Sequence, residues 1–274
     1  MIAFAKAILV IWFIIVSVNA KDEQRIKHVV VLMLENHSFD NMLGFSGDLL
    51  GVNGLTGNEY NQIDPNDPNS ERIYVNNKAP FMNDCDPAHT TPATTSKLFS
   101  TSAAQNSGIP DMGGFVAYQN SSANKNYCNV MSSFTSEGIP VLTALAQEYA
   151  IFDRFFASHP GPTWPNRMFT LSGTSAGSTE TSIWYHDIPG KLYPQKTIFD
   201  QIVESGKTWK NYFNDTPWEL ILESVAHHPH NQHPLDQFYM DCESGNLPSF
   251  SWINSRSGMN VTTGVGSNDM HPDH

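Results

Sequence analysis

Six consecutive apolar residues, Val29–Leu34, stop abruptly at Glu35 and Asn36. An uninterrupted run of that length predicts a short strand buried on both faces, the habit of a parallel sheet covered by helices. The next clear pattern is Pro140–Ala150, where Pro opens a helix and Leu142, Leu145, Ala146 and Tyr149 share one face. Ile151–Phe156 then reads as a second buried strand. A stiff loop with three prolines follows, and a helix is expected from near Pro165 through Arg167, Phe169 and Leu171. Thr197–Val203 predicts a helix capped by Thr197 and ended by Gly206, with a strand at Thr208–Phe213. A further helix is expected to begin at Phe238–Asp241, and a strand at Ser249–Ile253. Helices alternating with strands in this order call for an α/β fold with a doubly wound, mostly parallel sheet.

Between Phe45 and Thr95 periodicity fades, and Asp64–Asn69 is rich in turn residues. Gly, Pro, Asn and Ser are abundant, which implies long loops. The 274 residues suffice for one large domain, with neither an internal repeat nor a linker. The net charge of −12 argues against a nucleic-acid partner, which selects a basic face.

The first residues carry a different signal. Lys6 precedes the apolar run Ala7–Val18, and Val18-Asn19-Ala20 suits cleavage after Ala20. The run is short for a span of about 20 residues, so residues 1–20 are expected to be a removed signal peptide rather than an anchor. The remaining domain, residues 21–274, would then be secreted, extracellular or in the endomembrane lumen. There a disulfide can form among Cys85, Cys128 and Cys242, with the pairing left open. Sequons occur at Asn36, Asn120, Asn214 and Asn260, of which Asn120 and Asn260 have the most loop-like surroundings.

Candidate chemistry gathers at several points. Glu35 and Asn36 end a strand where open α/β sheets place ligands, and a carboxylate there needs a partner or a metal. Asp84, Asp86 and His89 group two carboxylates with an imidazole; an Asx turn with a surface histidine is the plainer reading. Thr163 is expected just ahead of a helix N-terminus, where the helix field favours an alkoxide and welcomes a phosphate; the alternative is a simple N-cap. The four histidines between Glu223 and His233 read as solvated surface. The chain closes on Asp269, Met270 and His271, a cluster of site-like composition.

Taken in order, these motifs resemble one family. They are Glu35-Asn36-His37-Ser38-Phe39-Asp40, Asp86-Pro87 with His89, Met112 with Gly114-Phe115-Val116, Pro140 to Phe156, Pro162-Thr163-Trp164-Pro165-Asn166-Arg167, Gly245–Phe250 and Asn268–Pro272. The chain resembles the phosphoesterase family of non-specific phospholipase C enzymes and secreted acid phosphatases, within the alkaline-phosphatase-like superfamily. The resemblance implies an α/β/α sandwich and a divalent metal ion held by Glu35, Asn36, Thr163 and Asp269. It also implies Thr163 as nucleophile, with His89, His271 and Arg167 as site-lining groups. The expected substrate is a phosphoester, with phospholipid at a membrane surface one form of it. Arg167 would grip a phosphate oxygen or pair with Asp153. Two departures stand out: Met270 replaces the second Asp of the family's final pair, and the family pattern continues beyond His274. The resemblance therefore leaves open a phospholipase C, an acid phosphatase, or a truncated, inactive paralogue that only binds.

Overall fold

The computed structural model of the chain describes residues 26–83, 85–120, 127–181, 192–258 and 266–271. The elements in order are β1 (Val29–Met33), α1 (Phe39–Leu43), α2 (Gly47–Leu50), β2 (Tyr60–Gln62), β3 (Arg72–Tyr74), α3 (Thr91–Leu98), α4 (Ser102–Ser107), α5 (Gly114–Asn120), α6 (Pro140–Glu148) and α7 (Thr163–Ser172). They continue with α8 (Ile198–Glu204), β4 (Trp209–Phe213), α9 (Glu223–Ala226), β5 (Gln232–Pro234), α10 (Leu235–Ser244) and β6 (Phe250–Asn254). Four strands make an all-parallel sheet in the order β1-β6-β4-β5, while β2 and β3 form a separate antiparallel pair. The expected α/β class is therefore the observed one.

Register decides which side chains meet. Val31 and Met33 lie opposite Trp252 and Asn254 on β6, and Trp209 and Asn211 on β4 pair with Phe250 and Trp252. Because side chains alternate along a strand, Val31, Met33, Trp209, Asn211, Phe250, Trp252 and Asn254 share one face. Onto that face α7 lays Trp164, Met168 and Leu171, spaced three and four apart, and α8 lays Phe199. Phe199 sits 4.4 Å from the Trp209 ring and 5.8 Å from that of Phe250. The opposite face of β4 turns Lys210 and Tyr212 to α10, where Tyr212 meets Phe238 and both polar groups bond Asp241. Helices thus cover both faces of the central strands.

α8 begins as its sequence requires. The Thr197 hydroxyl and the Asp200 carboxylate form a reciprocal capping box. Cys85 and Cys128 form the disulfide, leaving Cys242 as an exposed thiol.

Three expectations need correction. β1 is an edge strand: Val31 and Met33 pack on the core, but Val29, Val30 and Leu32 are exposed. The apolar run correctly signals a strand, yet a sheet edge has a neighbour on one side only. α6 forms, but Leu145 and Tyr149 on its apolar face are 50% and 74% exposed. Ile151–Phe156 is no strand; it is irregular, with Phe152, Phe155 and Phe156 exposed. A six-residue apolar run states a wish for burial, and a strand also needs a partner for its backbone. The signal segment and Asn260 lie outside the described residues.

Candidate active site

Glu35 continues the parity of Val31 and Met33 beyond the end of β1, so it points to the face that α7 covers. Arg167 meets it there, with Nε donating to Glu35 Oε2 at 2.7 Å. Its Nη1 donates to Asn254 Oδ1 at 2.7 Å and to Glu219 Oε1 at 3.2 Å. Glu219 is itself buried and accepts from Trp252 Nε1, Asn211 Nδ2 and Asn254 Nδ2. Each buried charge in this network thus has charged or amide partners, as burial demands. Arg167 pairs with Glu35 and Glu219 rather than with Asp153, whose Oδ2 instead faces the backbone N–H of Asn53. With its guanidinium occupied in this way, Arg167 orients Glu35 and ties the β1 end to α7.

Thr163 is the first residue of α7, and Pro162 is the cap, so the N-cap reading of Thr163 fails. Helical rise places Thr163 about 6 Å along the axis from Arg167, one turn away. The loop that delivers it is stapled by Asn166. Its Nδ2 donates to the carbonyls of His159, Gly161 and Pro162, and its Oδ1 accepts from the His159 N–H. The Thr91 hydroxyl donates to the Thr179 carbonyl, so it accepts its 2.8 Å bond from His159 Nε2. A side chain at Gly161 would collide with Thr91 and His159, which explains the small residue there. These contacts dock the Thr163 loop on the start of α3, immediately after His89.

Two adjoining cavities flank the remaining candidates. One, of about 200 Å³, is lined by Asn36, His37, Asp86, His89 and Lys97, among others. The other, of about 330 Å³, is lined by Asp269, Met270 and His271 on one side and by Met42, Phe81, Ile139 and Leu142 on another. His37 and Phe134 belong to both. The His89 and His271 rings stand 6.1 Å apart. His89 Nδ1 faces Asp86 Oδ2 at 3.4 Å, and His271 Nδ1 meets Asp269 Oδ2 at 2.9 Å. Burial alone would raise the Asp269 carboxyl, but hydrogen bonds from the His271 side chain and backbone and from Ser267 outweigh it and hold it at about 2. The Asp269 hydrogen bond raises the His271 imidazolium above its ordinary range against desolvation, with the fields of Asp86 and Glu35 assisting. His37 moves the other way: burial lowers it, and the neighbouring His271 charge lowers it further.

The sequence candidates thus fall in three groups, with Thr163 one turn from Arg167 and lining neither of these two cavities. Asn36 and His89 line one cavity, Asp269 and His271 the next, and Glu35 with Arg167 sits where β1 meets α7. Asn36 is exposed and adopts a positive φ of 78°, a conformation asparagine tolerates better than most residues. Sequence reasoning assigned no role to Glu219, Asn211, Asn254 or Lys97. A polar residue inside an apolar strand was the available signal for Asn211 and Asn254; Glu219 and Lys97 carried none.

No group of three His, Cys, Asp or Glu side chains is gathered at metal-binding spacing among the described residues. The proposed set of Glu35, Asn36, Thr163 and Asp269 has only two such members. In kind, two carboxylates, an amide and a hydroxyl suit a hard divalent cation. Glu35 can accept Arg167 through Oε2 and still offer its second oxygen.

A Phosphoesterase family model matches residues 26–274. The chain is 36% identical over 270 residues to non-specific phospholipase C1 of Arabidopsis thaliana, covering 94% of this chain and 49% of that protein. It is 38% identical over 258 residues to non-specific phospholipase C6 of the same plant, covering 91% and 46%. It is also 32% identical over 167 residues to hemolytic phospholipase C of Pseudomonas aeruginosa, covering 57% and 20%. The chain spans about half the length of the plant relatives it matches.

Proposed function

Because the chain belongs to the phosphoesterase family, we propose that it is a phosphoric ester hydrolase of the phospholipase C type, secreted by way of its N-terminal segment. One observation favours a lipid ester over a small phosphomonoester. The cavity that holds Asn36, Asp86, His89 and Lys97 adjoins one with Met42, Phe81, Ile139 and Leu142 along a side, so a charged head and an apolar leaving group each meet groups that suit them.

In this reading the Thr163 Oγ attacks phosphorus in line as its proton passes to an imidazole. The bond from phosphorus to the leaving oxygen breaks, and that oxygen takes a proton from an imidazole, His271 or His89. Water then attacks the phosphothreonine, giving its proton to the same imidazole, which passes it to Thr163 Oγ as the bond from phosphorus breaks, so Thr163 leaves as the hydroxyl. Catalysis of this kind depends chiefly on positioning and charge. Arg167 positions Glu35 and Asn166 positions the Thr163 loop. A divalent cation held by Glu35, Asn36, Thr163 and Asp269 would neutralise phosphoryl charge and lower the hydroxyl pKa.

Turnover of phosphatidylcholine vesicles against a chromogenic phosphomonoester tests the substrate class. Preference for the vesicles is expected; a preference for the monoester would make the chain an acid phosphatase, and silence on both would make it a binding protein. Thr163→Ala is expected to lower turnover on the order of 10⁴-fold or more, by analogy with other covalent nucleophiles. Retained turnover excludes Thr163 as the nucleophile.

A further inference from the structure

Lys97 stands on the last turn of α3 and is 6% exposed, yet it lines the 200 Å³ cavity. A buried ammonium normally has a carboxylate partner. Among the described residues Lys97 has none in ion-pair contact. Its Nζ donates to the Ala88 carbonyl at 2.5 Å and lies 5.6 Å from the centre of the Tyr118 ring. An ammonium has three N–H groups, and the carbonyl takes one of them. Asp86 acts on Lys97 through its field and faces His89 Nδ1 at 3.4 Å. Burial pushes the ammonium down from the usual lysine range, with Asp86 opposing.

The fold holds this group in place deliberately. α5 crosses α3 so closely that a side chain at Gly114 would run into the Ser96 carbonyl and the Lys97 backbone. That close approach brings Tyr118 against the ammonium. The Ala88 carbonyl belongs to the residue preceding His89, so the same hydrogen bond ties Lys97 to the site histidine.

We propose that Lys97 is the anion anchor of this cavity, where its ammonium takes a non-bridging oxygen of the substrate's phosphoryl group. The role rests on the phosphoesterase reading for its substrate. It assigns to the cavity an anion in direct contact with the ammonium, which Lys97 does not have among the described residues.

Inorganic phosphate titrated calorimetrically into the full chain, with and without EDTA, tests it. Lys97→Met is expected to weaken phosphate binding at least about tenfold in both conditions, the loss of a charge-assisted hydrogen bond, and Lys97→Arg to weaken it less. Without phosphate, Lys97→Met should unfold at or above the wild-type temperature, because methionine fills the space of the stem and buries no charge. Phosphate should raise the melting temperature of the wild type more than that of the variant at the same concentration. Lys97→Gln serves as the second variant should Lys97→Met not fold. Wild-type phosphate affinity in either variant overturns the proposal, as does absence of phosphate binding by the wild-type chain. A lowered melting temperature with unchanged affinity would assign Lys97 to structure alone. Vesicle turnover is scored separately. Turnover with unaltered phosphate binding in Lys97→Met rejects the anchor and keeps the enzyme, whereas Lys97-dependent binding without any turnover does the reverse.

Discussion

Arg167 shows how a single side chain can join a fold to its site. It is 8% exposed and reaches Glu35, Glu219 and Asn254 from α7. Replacing it by Met leaves the Glu35 and Glu219 carboxylates without the cation they share. The expected cost is about 3–5 kcal/mol, as for other broken buried pairs, read as a lower denaturant midpoint at unchanged slope. Arg167→Lys should recover only part of this, because an ammonium lacks the planar fork that serves acceptors in several directions. Met270 is the second informative residue. It lines the cavity beside Asp269, at the position where the family resemblance implies a second carboxylate. Met270→Asp adds an oxygen donor and is expected to tighten binding of a divalent cation in a calorimetric titration. Unchanged affinity would count against the ligand set of Glu35, Asn36, Thr163 and Asp269.

At the scale of elements, local chemistry and tertiary contacts separate cleanly. α8 owes its start to the Thr197–Asp200 box. Thr197→Ala should destabilise the protein by about 1 kcal/mol, visible in thermal unfolding, with turnover unaffected. The pairing of β4 with α10 instead depends on Asp241, which accepts from Lys210, Tyr212 and Gln237. Burial would raise its carboxyl, but these hydrogen bonds outweigh burial and hold it at about 2 in place of the ordinary 3.8. A depressed carboxyl binds fewer protons folded than unfolded. Its contribution is therefore full above about pH 4 and is lost as the pH falls toward 2. Asp241→Asn should flatten stability across that window, by on the order of 2 kcal/mol; an unchanged acid limb would remove Asp241 from this role.

At the scale of the molecule, the parallel sheet presents β1 as an edge with Val29, Val30 and Leu32 exposed. Nearby in sequence to α6, the aromatic residues Phe152 and Phe155 join Phe39, Leu43, Leu145 and Tyr149 around an open apolar groove. An unpaired edge and an apolar groove of this kind favour association. The 274-residue chain is expected to bind a hydrophobic dye while folded and to scatter light increasingly with concentration. Leu145→Lys with Phe152→Lys should reduce both signals; no change would place the sticky surface elsewhere. No helix among the described residues is long and apolar enough to cross a membrane.

Much was legible from the chain alone wherever a property is local. The strand that opens at Val29, the helices that begin at Pro140 and Thr197, the strands expected at Thr208–Phe213 and Ser249–Ile253, and the motif order that marks the family all follow from neighbours in sequence. Strand order, by contrast, is a matter of which distant backbones pair. For that reason β1 became an edge, Ile151–Phe156 stayed outside the sheet, and the α6 stripe was left open. The same holds for charge. Sequence supplied Glu35, Arg167 and Lys97 as candidates or bystanders, but a side chain's partner is set by three-dimensional distance. Only the packed structure gave Arg167 to Glu35 and Glu219 and, among the described residues, left Lys97 lining a cavity with no carboxylate in ion-pair contact.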